Sequence, residues 1–579
     1  FYTLTSTNPQ YDLMELKKLE DWVLEKQFKS VPNVVDVSSF GGLTREYQVR
    51  IDPEKLIAYG LSLSQVEQQL NNNNVNGGGS FIESGLQQVN VRAIGLVTNV
   101  ADIRNTVVKS QTGTPIRIED IATVTQGPKI RLGRFARALH RADGRIVDND
   151  DVVSGIVLLR KGAESDSTLE AIHAKVKELN DTILPPGVKV SPFLDRSDLV
   201  HYTTKTVMHN LKEGILLVAI VLFLFLGNLR GALIVALTIP FSLLFASICL
   251  DLRHIPANLL SLGALDFGMV VDGAVVMIEN IVRHMGNPDH RSKTPLEQIR
   301  EAAHEVQRPV FYAIGIIITA YLPIFTLQRV EGRLFQPMAW TVAFALLGAL
   351  LFSMLIAPVL ASILFRSGVK EWHNPVLILL TKGYRHAVGA AIRHRYVTVG
   401  CCLLCVIGAA FLATSGIIGS EFLPHLDEGA IWVRGTLAPS TGPTEGIRLT
   451  NQARIILARF PEVTTVTSQI GRPDDGTDTT GFFNTEYFVD LKPREEWRPV
   501  FHEGKDELIA AMDRELEKIP GTLWNFSQPI SDNMEEAVSG VKGELAVKIY
   551  GDDLKILEAK GDEIVTRMRS VRGIQDLGL

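Results

Sequence analysis

Apolar residues crowd into Leu211–Gly419, whereas the segments on either side alternate short apolar runs with polar and charged residues. Six stretches of the apolar region are long enough to cross a bilayer as helices, at about 211–227, 232–252, 257–282, 310–327, 338–365 and 396–418. A helix of ~20 apolar residues matches a hydrocarbon core of ~30 Å. Pro240 and Pro323 lie inside two of these stretches and are expected to kink them. The pattern predicts a polar region 1–210, a transmembrane region 211–418 and a second polar region 419–579.

Both polar regions read as α+β. In the first, FYTLTS reads as a strand, and Tyr11 to Ser30 as an amphipathic helix whose stripe includes Leu13, Leu16, Leu19, Trp22, Val23 and Leu24. VVDVSSF and REYQVRID follow as strands around a Gly41-Gly42 turn, then Ser62 to Leu70 as a helix. Asn71 to Ser80, NNNNVNGGGS, reads as a loop tolerant of left-handed backbone. Later runs such as QQVNVRAIG, TPIRIEDIATVTQ and DVVSGIVLLRKG, and a helix Ser167 to Leu179, continue the alternation. It suggests small two-layer sandwiches of sheet and helix. Residues 420–579 repeat this pattern, ending in ELAVKIYG, a helix Asp552–Arg569 and GIQDLG as strand, helix and strand. Ser30 to Val37 and Ser570 to Leu577 close similar helix–strand units far apart in the chain, as a duplicated transporter would.

The third apolar stretch, Ala257 to Val282, breaks the rule that spans avoid charge. It carries Asp266, Asp272 and Glu279. An acid near mid-membrane costs roughly 2.5–3.5 kcal/mol on insertion scales. Asp272 and Glu279 are seven apart and share a helix face, while Asp266 lies about 120° round the axis. That face looks into protein or a wet path rather than at lipid. Carboxylates in low dielectric take and lose protons near neutral pH, which reads as a proton pathway. Structural hydrogen bonding between helices is the alternative.

Loop charge supplies an orientation. Arg230 follows the first stretch. Arg283, Arg291, Lys293, Arg300 and Arg308 follow the third, and Arg366, Lys370, Lys382, Arg385, Arg393 and Arg395 the fifth. The other side has only Arg253, Arg329 and Arg333 in its short loops. By the positive-inside rule the odd-numbered stretches end in the cytoplasm, so both polar regions lie on the periplasmic side. Asn374 to Arg393 mixes apolar and basic residues and reads as an amphipathic helix along the inner surface. The net charge of −6 carries no nucleic-acid signal. Cys249, Cys401, Cys402 and Cys405 all sit in apolar segments, so the CxxC reads as packing and no disulfide framework is implied. A large polar region before the first apolar stretch, with no signal peptide, suggests a fragment.

Asp266-Phe267-Gly268, Asp272-Gly273-Ala274 and Glu279-Asn280 resemble the fourth-span signature of heavy-metal efflux pumps of the resistance–nodulation–division (RND) superfamily. The resemblance runs along essentially the whole chain, through NNVNGGGSFIE, FLFLGNLRGALIVALTIP and SGVKGELAVKIYGDDL. The drug-exporting branch usually carries adjacent aspartates in this span instead. The resemblance implies an inner-membrane permease subunit, multi-pass in a bacterial inner membrane. Its fold would be a helical bundle, here spans two to seven, with periplasmic porter subdomains of ferredoxin-like α+β type and a docking part. It implies a homotrimer joined to a periplasmic adaptor and an outer-membrane channel. No cofactor is expected; protons and a transported metal ion are the only small partners. The family's proton relay falls on Asp266, Asp272 and Glu279, its further partners on a later span outside this chain.

The cargo is read from Ile530 to Gly540. The copper and silver branch uses methionine sulfur, since soft ions prefer soft ligands. Here that position aligns with Glu536, and Met534 is displaced. Asp532, Glu535 and Glu536 offer oxygen ligands suited to divalent zinc, cobalt, nickel or cadmium. The alternative is an acidic helix start favoured by the helix dipole. His284 and His290 read as solvated loop residues, Met269 and Met277 as core, and Pro473 to Asp478 as an exposed acidic turn. A monovalent-metal or organic-compound exporter of the same fold and a non-transporting scaffold are the competing readings. No GxxxxGK[ST] loop is present, which disfavours ATP-driven transport, and no constellation for covalent catalysis stands out.

Overall fold

The computed structural model describes residues 1–111, 113–141, 143–255, 267–286, 293–366, 375–415, 427–476, 478–501, 504–540, 545–574 and 577–579. The chain forms two compact units. One is polar and comprises Phe1–Asp195, Glu428–Glu536 and Val541–Leu579; the other is helical and comprises Arg196–Asp427 with Ala537–Gly540.

The polar unit is built on one antiparallel sheet of nine strands: β1 (Tyr2–Ser6), β2 (Val34–Gly41), β3 (Gly133–His140), β4 (Ile146–Leu159), β5 (Val188–Pro192), β6 (Ala430–Thr436), β7 (Val463–Gly471), β8 (Asn484–Leu491) and β9 (Leu523–Ser527). The order is β5-β1-β4-β3-β7-β8-β6-β9, with β2 also on β4. The two polar regions, remote in sequence, therefore meet in one sheet. β3 pairs with β7 in a register that sets Ala138 opposite Val466 and Arg137 opposite Thr467. Ala138, Val466, Val433, Ile431 and Tyr487 are buried with Leu457, Leu508 and Met512 from two covering helices, Pro443–Ala458 and Lys505–Leu516. Each fully buried Leu or Ile contributes roughly 1.5–3 kcal/mol. On the N-terminal side, the helical stretch from Leu13 to Lys29 buries Leu16, Leu24 and Phe28 against Tyr2, Leu4, Val153 and Val190.

The expected Gly41-Gly42 turn forms, both residues having positive φ (76° and 79°). A Cβ on Gly41 would meet the Val152 carbonyl oxygen at 2.7 Å, so no other residue fits there. Three expectations change. The end of the Asn71–Ser80 loop is strand, because Gly77–Ser84 finds a partner in Gln87–Ala93. Trp22 is 66% exposed rather than part of the core stripe, with the Lys26 ammonium over its ring. Near the C-terminus the helix of the expected strand–helix–strand forms, Leu554–Met568, and Gln575 and Asp576 of the expected last strand lie outside the described residues. Leu545–Tyr550 alternates apolar residues as a strand would, but it runs unpaired among the described residues, with Leu545, Val547 and Tyr550 exposed.

In the helical unit the first helix is longer than its apolar part and runs Arg196–Leu226, which moves the boundary from about 210 back to Asp195. Five helices among the described residues are long and apolar enough to cross a membrane: Leu199–Phe225, Leu229–Leu252, Pro295–Thr326, Glu331–Leu364 and Arg395–Thr414. The remaining expected span, 257–282, is described only as the helix Phe267–Gly286, which carries Asp272, Glu279 and Arg283. Pro323 ends a helix rather than kinking it: Pro295–Ala320 stops before it, and a tighter turn, Leu322–Thr326, follows.

Candidate functional site: an acid-bearing helix and a tethered acidic helix

The Phe267–Gly286 helix has one buried and one exposed side. Val270, Val271, Ala274, Met277, Ile278, Ile281 and Val282 are buried. Most pack with Ile234, Val235, Ile239, Phe352 and Ala361, while Val270 packs with Val310, Val342 and Leu346. Gly273 is what lets neighbouring helices approach: a Cβ there would lie 3.1 Å from Val310 and Ile314 and 3.2 Å from the Ser353 hydroxyl oxygen. Asp272, Val276, Glu279 and Arg283 stand on the opposite, exposed side at i, i+4, i+7 and i+11. The structure thus places Asp272 and Glu279 on one face and points that face away from this unit's own core. Asp266 lies outside the described residues.

From Asn280, the residue after Glu279, the helix is fastened to its neighbour by polar groups. Asn280 is buried, and its amide donates to the Ala302 carbonyl at 2.9 Å and to Glu305 Oε2 at 3.0 Å. Arg283 Nη2 donates to Asn280 Oδ1 at 2.7 Å. His284 Nε2 lies 2.8 Å from the same Glu305 oxygen. His284 is therefore part of an interhelical clamp on the Pro295–Ala320 helix, not a solvated loop residue, and His290 is outside the described residues. Sequence reasoning missed Glu305, because the signal is a tertiary pairing between two helices.

The second element is the Pro529–Ser539 helix, which bears Asp532, Glu535 and Glu536. Its N-terminus is capped from outside: Glu428 accepts from the Ile530 N–H at 2.7 Å and the Ser531 N–H at 2.9 Å. Asp532 is buried and accepts from Arg434 Nη2 at 2.6 Å, while Arg434 Nε reaches Glu486 at 3.3 Å. Gln469 donates to the other Glu486 oxygen at 2.7 Å. Removing one member of such a buried set leaves an uncompensated charge, which makes Arg434–Asp532 a tether between helix and sheet. Glu535 is half-buried and accepts from the Ser531 hydroxyl at 3.1 Å; Glu536 is exposed. The three carboxylates therefore do not converge: Asp532 turns to the sheet, and Glu536 turns to solvent. Among the described residues, no three His, Cys, Asp or Glu side chains gather as a metal site.

Over residues 1–579 the chain matches the AcrB/AcrD/AcrF family. It is similar to Protein HelA of Legionella pneumophila, 35% identical over an alignment covering 100% of this chain and 54% of that protein. It is equally similar to the cobalt-zinc-cadmium resistance protein CzcA of Cupriavidus metallidurans, at 35% identity over 98% of this chain and 53% of that one. Among solved structures, a heavy metal efflux pump superposes with a TM-score of 0.83 at 38% identity, over 99% of this chain and 54% of its own. The chain spans about half the length of the curated relatives it matches. It belongs to the AcrB/AcrD/AcrF family.

Proposed function

We propose, from this membership, that the chain is part of a proton-driven antiporter that exports heavy-metal cations, with a divalent ion such as zinc, cobalt, nickel or cadmium as cargo. The observation that carries the reading is the exposed placement of Asp272 and Glu279 on one face of a helix whose other side is packed by apolar residues. Counted with the five apolar helices, that helix gives six spans. Carboxylates on it are costly unless they meet partners, water or protons. In this reading Asp266, Asp272 and Glu279 take up and release protons. A proton moving inward gains about 2.3 kcal/mol per 100 mV of membrane potential. Neutralising Asp272 changes which helix packing is preferred, and a two-state packing biased by charge drives a distant domain.

The cargo reading rests on Glu535 and Glu536. Carboxylate oxygens suit harder divalent ions better than monovalent copper or silver. Asp532, held by Arg434, positions their helix as an anchor and is not counted among the ligands. The pump works as a homotrimer in a bacterial inner membrane, with the polar unit on the periplasmic side, joined to an adaptor and an outer-membrane channel.

The test is growth of a metal-sensitive bacterial host expressing the complete gene product with its adaptor and channel, scored on zinc, cobalt, nickel, cadmium, copper and silver. Rescue on a divalent metal, lost in Asp272→Asn, is the expected result. Rescue on copper or silver alone overturns the divalent assignment, and no rescue on any metal moves the cargo to organic compounds.

A further inference from the structure

The Pro375–Arg393 helix gathers its basic residues on one side, an arc that also holds Ile378. Lys382, Arg385, His386 and Arg393 recur at i, i+3, i+4 and i+11 and fall within an arc of about 100°. Leu380, Tyr384, Ala387, Val388 and Ala391 occupy the opposite arc. Leu380 is 57% and Tyr384 69% exposed, so the apolar arc is not buried in this unit's core. The four basic side chains are exposed as well. The charge is also of one sign: no Asp or Glu occurs between Glu371 and Glu421, and Arg395 opens the next helix. The helix joins two candidate spans, Glu331–Leu364 and Arg395–Thr414, so the ends of two membrane crossings hold it at one bilayer surface. There its apolar arc faces the acyl boundary, and its basic arc faces the headgroups.

We infer that the basic arc of Lys382, Arg385 and Arg393 is a recognition surface for anionic phospholipid headgroups, preferred over zwitterionic ones. The inference rests on the membrane reading given above. The argument is charge complementarity. A zwitterionic surface gives three unopposed cations no net attraction. An anionic leaflet draws each one by about fivefold in partitioning, or on the order of 100-fold for three at low salt.

The purified chain is reconstituted in nanodiscs of mixed phosphatidylcholine and phosphatidylglycerol, and the lipids retained after detergent extraction are counted by mass spectrometry. Phosphatidylglycerol enriched over its share of the mixture is expected. The enrichment is lost in K382Q/R385Q/R393Q, kept in the charge-preserving K382R/R385K/R393K, and reduced at ~1 M salt, where the Debye length is ~3 Å. A chain that inserts but enriches phosphatidylglycerol no more than the glutamine variant overturns this inference alone. A chain that stays in the aqueous fraction overturns the membrane reading and this inference with it.

Discussion

Asp148 in the polar unit and Asp272 in the helical unit are both aspartates on regular elements, and their surroundings differ in kind. Asp148 lies on β4, where the fully buried Arg454 grips it through two bonds of 2.8 Å. Arg454 is further held by Asn451 and Ser468. Asp272 stands on the exposed side of its helix, and Asn280, on the buried side, bonds the neighbouring helix. Charge that holds a fold together is met from several sides within its own unit. The charge to which we assign proton transfer is carried on the exposed side of its helix, away from the apolar residues that pack that helix into its unit.

The sharpest way to break this contrast is to neutralise each acid and read both activity and stability. Asp272→Asn is expected to abolish metal resistance while leaving the thermal midpoint of the purified chain unchanged. A lowered midpoint would make Asp272 a structural residue and sink its proton role. Arg454→Ala is expected to do the opposite kind of damage, costing about 2–5 kcal/mol, since it empties a fully buried site and takes the partner from Ser468 and Asn451, while Asp148 is exposed to water. Chemical denaturation followed by far-ultraviolet circular dichroism measures it. A loss under about 1 kcal/mol would mean that the pair behaves like an exposed one.

A smaller effect separates the two halves of the Pro529–Ser539 helix. Asp532→Asn weakens the Arg434 tether, so it should lower the stability of the chain and depress export of every metal alike. Glu536→Gln should leave stability within about 0.5 kcal/mol, as exposed substitutions do, and change the order of preference among metals. Titrating resistance across the metal series checks both. An Asp532→Asn pump with normal stability and an altered metal order would make Asp532 a ligand and refute its assignment as an anchor.

Local periodicity made much of the fold legible. The helix Leu63–Asn72 starts at Ser62 because Ser62 and Gln65 form a reciprocal cap that can be read from four residues. The shared face of Asp272 and Glu279 follows from helical repeat alone. What stayed hidden was pairing at long range. Nothing local in Gly133–His140 announces Val463–Gly471 as its partner, so one sheet looked like two regions. The same holds for Arg434 with Asp532 and for His284 with Glu305, where each residue alone reads as solvated charge. Leu545–Tyr550 shows the converse: an alternating pattern that finds no strand to pair with among the described residues.

Glu20 adds a third way for a carboxylate to live in this protein, and it yields the smallest prediction. It is 1% exposed, beneath β1. Its Oε1 accepts from the Tyr2 hydroxyl at 2.6 Å, and its Oε2 has no hydrogen-bond partner among the described residues. Burial outweighs the pull of Tyr2 and Lys17 and pushes the carboxyl up to about 8 from 4.5. Unlike Asp148 it has no cation gripping it, so it is kept neutral. Between pH 4.5 and about 8 the folded state holds a proton that the unfolded chain has lost. Stability from this group is therefore full below pH 4.5, falls as pH rises through that window, and levels off above it. The slope is at most about 1.4 kcal/mol per pH unit for one proton. Glu20→Gln keeps an acceptor for Tyr2 but cannot ionise, so its stability should be flatter between pH 6 and 8 than that of the unmodified chain. Denaturation midpoints measured across that range decide it: equal slopes in the two proteins would mean that Glu20 is already charged in the folded state, and that a cation or water meets it after all.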